Sequence, residues 1–497
     1  MVQTSAVGEA GQMGKKVYAS EKDIVMVPKN EQVFLQTATS VNDQCNLTLK
    51  MSFQGHLSDG LEGLYLSKYK NGDGAVSNIV STHFEPSSAR LAFPCWDEPE
   101  FKAKFTISVV RPKGLISLSN MPLKKTEDLQ FYQPGTERDD FMTSVPMSTY
   151  LVAIAVCDYV YLRSTTAKGV KISLYAPAEQ VSRGGLALNT ALQVLTYYEE
   201  FFGVSYPLPK LDMIAIPGFS AGAMENWGLV TYRMTSLLAD DAVSSERQKQ
   251  IVVQTVAHEL AHQWFGNLVT MKWWNDLWLN EGFASWVEVL GAKVSNPDWA
   301  ITDQFYYDKV TSGLWLDSLQ SSHPVSPPEI SSVDESNSLF DEISYNKGPA
   351  LLQMVADVIG LPTLRLGLKT YLKTHRYENA DTKDLWAAVG SFTDFGAEGM
   401  KNFMNSWVDK QGYPLIELSM DDGELIARQR RYSNSRTPPC PGPAEAHLSN
   451  SPCSDIWNLR LTCLVGGRDG AASIDDSPSS FDTLDKASLF SDAFALT

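Results

Sequence analysis

The sequence predicts a multidomain α+β protein, because strand-like and helix-like patterns occupy different parts of the chain. The chain has 497 residues, which is more than one hydrophobic core usually holds. Short runs of alternating apolar and polar residues mark residues 1–160, and this is the period of half-buried strands. Residues 245–410 instead carry the apolar spacing of helices. We therefore expect an N-terminal β-sheet domain over residues 1–160, a mostly helical domain over 161–415 and a partial β domain over 416–497.

Individual strands are predicted from alternation and from continuous apolar runs. Residues 103–109 alternate, residues 150–157 form an apolar run typical of a buried strand, and residues 170–174 alternate again. The Asn, Gly and Asp cluster at residues 70–74 predicts a turn. A short alternating segment after Pro414 predicts one more strand.

Two helices are predicted with their ends. Residues 186–202 have helical spacing, and Gly203 is a good residue to follow a helix end. A second helix is expected through residues 248–265. Ser245 is its predicted N-cap, and Gly266 lies just past its expected end.

The last part of the chain has a different composition. Residues 437–443 are rich in proline and interrupt regular structure. Residues 457–463 alternate as one strand, and the remainder is rich in Ser, Asp and Gly. We expect residues 437–497 to be poorly ordered.

Charge and composition exclude several classes of function. The net charge is −17, which argues against a nucleic-acid partner, because phosphate binding requires a basic face. There is no apolar run of about 18 residues, so no membrane span is expected. Residues 1–16 lack the apolar core of a secretory signal. The six cysteines form no CxxC pair, which favours a reduced, cytoplasmic protein without a cysteine zinc site.

A candidate metal site is read from a His-Glu-x-x-His motif. Residues i and i+4 of a helix share one face, so His258 and His262 can point at one ion, and Glu259 borders it as a general base for bound water. A catalytic zinc ion usually takes three protein ligands and leaves one position for water. Glu281, on a second helix, is the candidate third ligand, and Glu288 could hydrogen-bond a ligand histidine. The motif can arise by chance, but a correct spacing among only seven histidines favours the metal site.

Four sequence blocks together resemble a known family. They are Gly-Ala-Met-Glu-Asn at 222–226, the zinc motif at 258–262 with Glu281, Ser-Tyr-Asn-Lys-Gly at 344–348, and Phe-Pro-Cys-Trp-Asp-Glu-Pro at 93–99. Their order and spacing over roughly residues 50–420 resemble the gluzincin aminopeptidases, which include aminopeptidase N and puromycin-sensitive aminopeptidase. The resemblance implies a saddle-like N-terminal β domain, a thermolysin-like catalytic domain, one zinc ion, and peptides with a free N-terminus as substrates.

The resemblance also implies how the substrate is held. Glu225 and Glu85 match the family's two glutamates that bind the α-ammonium group. Gly222 and Ala223, followed by Met224, match the segment that pairs with the substrate backbone as an added strand.

Further residues receive roles from the same resemblance. Tyr345 matches the tyrosine that hydrogen-bonds the oxyanion. His83 stands where family members often have Gln, and it is expected to line the pocket for the first side chain, where an imidazole could alter preference or pH dependence. Asn280 and Glu288 are expected to support the metal ligands.

Both ends of the chain depart from the family pattern. The first strands before residue 45 are expected to be missing, which makes the N-terminal β domain incomplete, and no large helical domain follows. An inactive or binding-only protein is therefore one alternative. A leukotriene-type epoxide hydrolase is the other, but that family typically has Gly-Gly-Met-Glu-Asn where this chain has Ala223. The preferred N-terminal residue is not set by the sequence.

Overall fold

The structure is a computed structural model that describes residues 5–10, 15–18, 24–36, 47–421, 424–434 and 457–458. The predicted proline-rich interruption and the order expected of the tail therefore lie outside the described residues. The strand expected over 457–463 is also outside them, except for its first two residues. Of these two, Trp457 is buried, and its backbone N–H donates to Oε1 of Gln429 at 3.0 Å.

The N-terminal region consists of antiparallel β-sheets. Its strands are β1 (Ser5–Ala10), β2 (Lys15–Tyr18), β3 (Ile24–Val27), β4 (Gln32–Leu35), β5 (Leu47–Ser52), β6 (Gly63–Lys70), β7 (Val76–His83), β8 (Ser108–Pro112), β9 (Ile116–Ser119), β10 (Leu123–Asp128), β11 (Thr136–Phe141) and β12 (Ile154–Cys157). They form sheets in the orders β2-β1-β5, β10-β11-β8 and β6-β7-β12-β9, and β3 pairs with β4 as a hairpin. The expectation that strands before residue 45 are missing is wrong, because β1 to β4 precede it.

Two N-terminal strands are shorter than the sequence predicts. Within residues 103–109 only Ser108 and Val109 belong to a strand, because Ala103 makes a single bridge to Met147 and no continuous ladder forms there. In the run 150–157, the first residues belong to a 3₁₀ turn, Thr149–Leu151, and the strand begins at Ile154. Both parts of that run are largely buried. The apolar run therefore predicts which residues are buried, but it does not predict how long the strand is.

The chain then enters a mixed sheet with helices packed against it. The elements are β13 (Val160–Thr165), β14 (Lys171–Ala176), α1 (Gly185–Phe202), β15 (Lys210–Ile216), β16 (Ala223–Met224), β17 (Leu229–Arg233), α2 (Met234–Leu237) and α3 (Glu246–Ala261). The strand order is β13-β14-β15-β17-β16, so the short β16 is an edge strand. β12 belongs to the sheet of the N-terminal region, whereas β13 belongs to the mixed sheet. The domain limits at residues 160 and 415 stay predictions.

The predicted helix starts and stops are partly confirmed. α1 ends where expected, with Gly203 in the left-handed region at φ 61°. Ser245 is the N-cap of α3, since its Oγ accepts the N–H of Gln248 at 3.2 Å. The predicted end of α3 is wrong, because the helix stops at Ala261 and the next turn tightens. There, the N–H of Trp264 bonds the carbonyl of Ala261, three residues back.

The remainder is mostly helical, as expected. It contains β18 (Thr270–Met271), α4 (Trp278–Ser295), α5 (Ile301–Phe305), α6 (Ser312–Asp317), α7 (Val333–Ser338), α8 (Gly348–Ile359), α9 (Leu361–Thr374), β19 (Asn379–Ala380), α10 (Thr382–Gly390), α11 (Gly396–Val408), β20 (Pro414–Asp421) and β21 (Glu424–Arg431). Two π-helical segments, Tyr306–Thr311 and Ile343–Lys347, interrupt it. No single helix in the described ranges is long and apolar enough to cross a membrane, although Ile343–Ile359 with Leu361–Thr374, bent by 119°, passes that test as a pair.

A buried tyrosine fixes α3 against α4. The phenol of Tyr198 on α1 lies between the two helices and contacts the carbonyl of Ala257 at 3.1 Å and that of Val287 at 3.0 Å. Beside it, the rings of Phe265 and Phe283 stack with centroids 4.4 Å apart. These contacts hold in register the two helices that carry the predicted metal ligands.

Candidate metal centre

Three predicted side chains converge where α3 faces α4. His258 lies on the last turn of α3, His262 directly follows that helix, and Glu281 lies in the first turn of α4. The Nε2 atoms of the histidines are 3.0 Å apart, and each is 3.2 Å from Oε2 of Glu281. Ligands bonded to tetrahedral zinc at about 2.1 Å are roughly 3.4 Å apart. The donor atoms and their spacing therefore fit a zinc ion.

The other ring nitrogen of each histidine has its own partner. Nδ1 of His258 is 2.8 Å from Oε2 of Glu288, and the other carboxylate oxygen of Glu288, Oε1, lies 3.2 Å from the ammonium group of Lys309. Nδ1 of His262 is 3.0 Å from the carbonyl of Phe265. Such partners fix the tautomer and leave Nε2 free to bind a metal.

Sequence reasoning missed two of these partners. The carbonyl of Phe265 reaches His262 only because α3 ends early and the chain turns back, and no residue type signals a backbone contact of this kind. Lys309 belongs to no recognisable motif. The side-chain amide of Asn280 donates to the phenol of Tyr150 at 3.2 Å, and no hydrogen bond joins Asn280 to either histidine in the part of the chain that the structure describes.

Glu259 is buried beside the three candidate ligands. Its Oε2 has no hydrogen-bond partner among the described residues. Burial raises the pKa of the Glu259 carboxyl, while the charges of His258 and His262 act in the opposite direction. A bound cation would likewise favour the ionised form. Glu259 is therefore placed to accept a proton without being tied to another group.

A second group of carboxylates adjoins the first. One oxygen from each of Glu85, Glu225 and Glu281 lies within 4.8 Å of the others, although Glu85 comes from the N-terminal region. Among the described residues, Oε1 of Glu85 and Oε1 of Glu225 are buried without a hydrogen-bond partner, although Oε1 of Glu225 lies 3.7 Å from Nδ1 of His262. Burial, followed by repulsion from Glu225 and Glu281, raises the pKa of Glu85 well above its usual range. Buried carboxylate oxygens without hydrogen-bond partners favour a cationic ligand.

Tyr345 faces the same centre from the π-helical segment Ile343–Lys347. Its ring stacks on that of His258 at 6.0 Å between centroids and 20° between planes. Burial, together with the neighbouring carboxylates, raises the pKa of Tyr345 well above its usual range. The phenol therefore keeps its proton at neutral pH and remains a donor.

Two parts of the chain match known family domains. Residues 9–151 match the Peptidase M1 N-terminal domain, and residues 186–407 match the Peptidase family M1 domain. The chain belongs to peptidase family M1. The resemblance to M1 aminopeptidases inferred from the four sequence blocks is thereby confirmed.

Curated M1 relatives align with most of this chain. Aminopeptidase M1 of Arabidopsis thaliana is 42% identical over 423 residues, covering 85% of this chain and 47% of the relative. Endoplasmic reticulum aminopeptidase 2 of Homo sapiens is 41% identical over 436 residues, covering 83% and 45%. Aminopeptidase M1-A of Oryza sativa subsp. japonica is 44% identical over 389 residues, covering 78% and 43%. The M1 chain described here thus spans about half the length of the curated relatives it matches.

The N-terminal region holds the loop that leads to Glu225 in this M1 chain. The phenol of Tyr65 donates to the carbonyl of Gly218 at 3.0 Å, and the N–H of Gly218 donates to Oγ of Ser67 at 2.9 Å. Nδ1 of His83 is 2.9 Å from Oγ of Ser220. Burial lowers the pKa of His83 to about 4, which favours a neutral imidazole at physiological pH, and its role in the pocket for the first side chain stays a prediction.

A cleft of about 510 Å³ opens from the M1 site. Its wall includes Gly222 and Ala223, and Ala223 and Met224 form the edge strand β16. One face of α3 forms another wall, since the lining side chains recur every three or four residues. They are Arg247, Ile251, Gln254, Thr255 and His258. The glutamates Glu85 and Glu225 do not line this cleft, so it extends away from the group that they form.

Proposed function

We propose that this M1 chain is a zinc aminopeptidase that removes the N-terminal residue of peptides, with one zinc ion held by His258, His262 and Glu281. One observation carries the proposal. The three donor atoms lie next to the buried carboxylates of Glu85 and Glu225, each of which has one oxygen, Oε1, without a hydrogen-bond partner among the described residues. A three-ligand zinc site beside a general base is suited to hydrolysis, and an adjoining group of carboxylates favours a substrate with a free ammonium group.

The proposed mechanism gives Glu259 and Tyr345 separate roles. Zinc, when bound, polarises the scissile carbonyl and lowers the pKa of a water molecule towards about 7. Glu259 accepts the proton of that water and returns a proton to the leaving amine. The phenol of Tyr345 donates a hydrogen bond to the carbonyl oxygen as negative charge develops on it.

The position of the amine pocket limits cleavage to the first residue. Glu85 and Glu225 pair with the α-ammonium group, so the first peptide bond lies at Glu259 and the rest of the peptide enters the cleft. There the edge strand β16 can pair with the peptide backbone. From His258 to Arg247 the α3 face runs about 16 Å, which corresponds to roughly five extended residues.

Replacing Tyr345 by phenylalanine should lower kcat about 10²- to 10³-fold, the usual loss for one oxyanion donor. KM should change little, because the ground-state carbonyl carries less charge. Steady-state kinetics on an aminoacyl-anilide, with zinc content as the check on the metal site, measures this. Tyr307, whose side chain is 78% exposed, supplies the matched control, and Tyr307→Phe should behave as the parent. An unchanged kcat for Tyr345→Phe would remove Tyr345 from the mechanism.

Replacing Glu225 by glutamine should lower kcat/KM for free-amine peptides about 10- to 100-fold, because one charge-assisted contact is lost. The same peptides with an acetylated N-terminus should be poor substrates of the parent, and the variant should cleave them no more slowly than the parent does. Competition between the two peptide forms measures the difference. An equal loss on both forms would contradict the role of Glu225 in binding the amine.

The direct test uses the purified chain. Zinc content and release of N-terminal residues from a panel of aminoacyl-anilides should both be positive, and the panel also reveals the preferred first residue. Retention of zinc without any release would favour the binding-only alternative. The cytoplasmic location stays a prediction from the sequence, and cell fractionation would test it.

A further inference from the structure

A buried ion pair lies two residues from Tyr345. Lys347 ends the π-helical segment that carries Tyr345, and Asp317 ends α6. Nζ of Lys347 is 2.7 Å from Oδ2 of Asp317, and the two side chains are only 2% and 0% exposed. Lys347 belongs to the Ser-Tyr-Asn-Lys-Gly block, but it contacts neither the candidate ligands nor the cleft. The proposed mechanism leaves its presence unexplained.

The pair is embedded in a network that fixes both partners. Nζ of Lys347 also donates to the carbonyls of Gly412 at 3.1 Å and Lys410 at 3.5 Å. Oδ1 of Asp317 accepts the N–H of Gly412 at 2.8 Å and the hydroxyl of Ser322 at 2.7 Å. The segment that carries Tyr345 is thus tied to α6 and to the chain just before β20.

Close backbone approach leaves this segment little room to move. A Cβ on Gly313 of α6 would lie 2.7 Å from the backbone nitrogen of Lys347. A Cβ on Gly282, next to Glu281, would lie 3.3 Å from the Cα of Gly348. The segment is therefore packed between α6 on one side and α4, which carries Glu281, on the other.

We propose that the Asp317–Lys347 ion pair is a positioning device that holds Tyr345 in the orientation needed to donate to the substrate oxygen. This inference rests on the proposed aminopeptidase function. π-Helical turns are less regular than α-helical ones and frequently occur at functional sites. A phenol on such a turn needs an external anchor, and the ion pair supplies one.

The competing explanation is that the pair only stabilises the fold. Buried ion pairs are often no more stabilising than apolar replacements of similar volume, because desolvation offsets their attraction. Removing one partner alone would leave a buried charge unpaired. The test therefore removes both charges with Lys347→Met and Asp317→Asn, since asparagine keeps an oxygen for the N–H of Gly412.

The experiment is a double-mutant cycle with Tyr345→Phe. The charge-free pair should lower kcat about 10- to 100-fold when Tyr345 is present, with KM changed less than about threefold and zinc retained. In the Tyr345→Phe background the same pair should lower kcat by less than about twofold, because the device has nothing left to position. An equal loss in both backgrounds overturns the proposal.

A second buried pair in the same chain supplies the matched control. Nζ of Lys210 is 2.7 Å from Asp212 and donates to the carbonyls of Ser119 at 2.6 Å and Gly228 at 2.7 Å. Lys210→Met with Asp212→Asn should affect kcat equally whether residue 345 is tyrosine or phenylalanine. A cycle in which this control also couples to Tyr345 would show a general effect of buried charge and would overturn the proposal.

Amide hydrogen exchange separates this proposal from the proposed function. The charge-free Lys347 and Asp317 variant should exchange faster at residues 343–347, while α4 keeps its protection and the Lys210 control leaves 343–347 unchanged. If the parent holds zinc but cleaves nothing, the aminopeptidase proposal fails, and exchange still reports whether the pair orders the segment. If amide hydrogen exchange at residues 343–347 is the same in this variant as in the parent, the positioning role is overturned, whatever the enzymatic activity of the variant.

Discussion

Replacing Glu259 by glutamine is expected to lower kcat about 10³- to 10⁴-fold while the chain keeps its zinc. The carboxylate is buried next to His258 and His262 but is not one of the three converging donors, so the metal has no need of it. Glutamine keeps the shape of the side chain and removes the base that accepts the water proton. Steady-state kinetics with zinc analysis of the same sample measures both effects.

A carboxylate on the same helix provides the control for this substitution. The side chain of Glu246 is 68% exposed in the first turn of α3 and pairs with Lys249 at 2.9 Å. Glu246→Gln should leave kcat and zinc content as in the parent. Normal turnover by Glu259→Gln would show that the proposed mechanism is wrong, whereas loss of zinc would place Glu259 among the ligands.

Replacing Glu281 by alanine is expected to remove the metal and, with it, essentially all activity. Only two protein ligands, His258 and His262, would remain, and a catalytic zinc site usually needs three. Zinc content after dialysis against a chelator measures the loss, and far-UV circular dichroism shows whether α3 and α4 persist. Retention of stoichiometric zinc by this variant would contradict its assignment as a ligand.

A graded comparison comes from Glu288, which is not one of the three candidate ligands but lies 2.8 Å from Nδ1 of the candidate ligand His258. Glu288→Gln keeps a hydrogen-bond acceptor but loses the charge that supports the imidazole. Zinc affinity should fall about 10- to 100-fold, as is usual for such supporting contacts. Titration with a competing chelator should therefore rank the parent first, Glu288→Gln second and Glu281→Ala last.

Local sequence signals predicted the features that depend on neighbouring residues. Ser245 was correctly placed as an N-cap and Gly203 as the residue after α1, because both roles are decided within one helical turn. His258 and His262 were predicted on one face for the same reason, since i and i+4 are neighbours on any helix. The β-rich first part and the helical second part followed from the period of the apolar residues.

Contacts between distant residues could not be read in this way. Glu85 and Glu225 came only from a resemblance, because nothing in their local sequence places them beside Glu281. The end of α3 at Ala261 was missed, although the carbonyl of Phe265 reaches His262 only because the helix stops there. Lys347 belongs to one of the four sequence blocks, but nothing in the sequence predicts that its ion-pair partner is Asp317.

The sequence by itself therefore determined the α+β class, the spacing of the zinc motif and the family to which the chain belongs. Only the tertiary structure decided that carboxylates from two regions share one pocket, that the cleft runs along the exposed face of α3, and that a buried ion pair anchors the segment of Tyr345. The physical reason is the separation along the chain between the residues that interact. Capping and helix periodicity act over a few residues, whereas burial without hydrogen-bond partners and the pairing of distant charges exist only once the chain has folded.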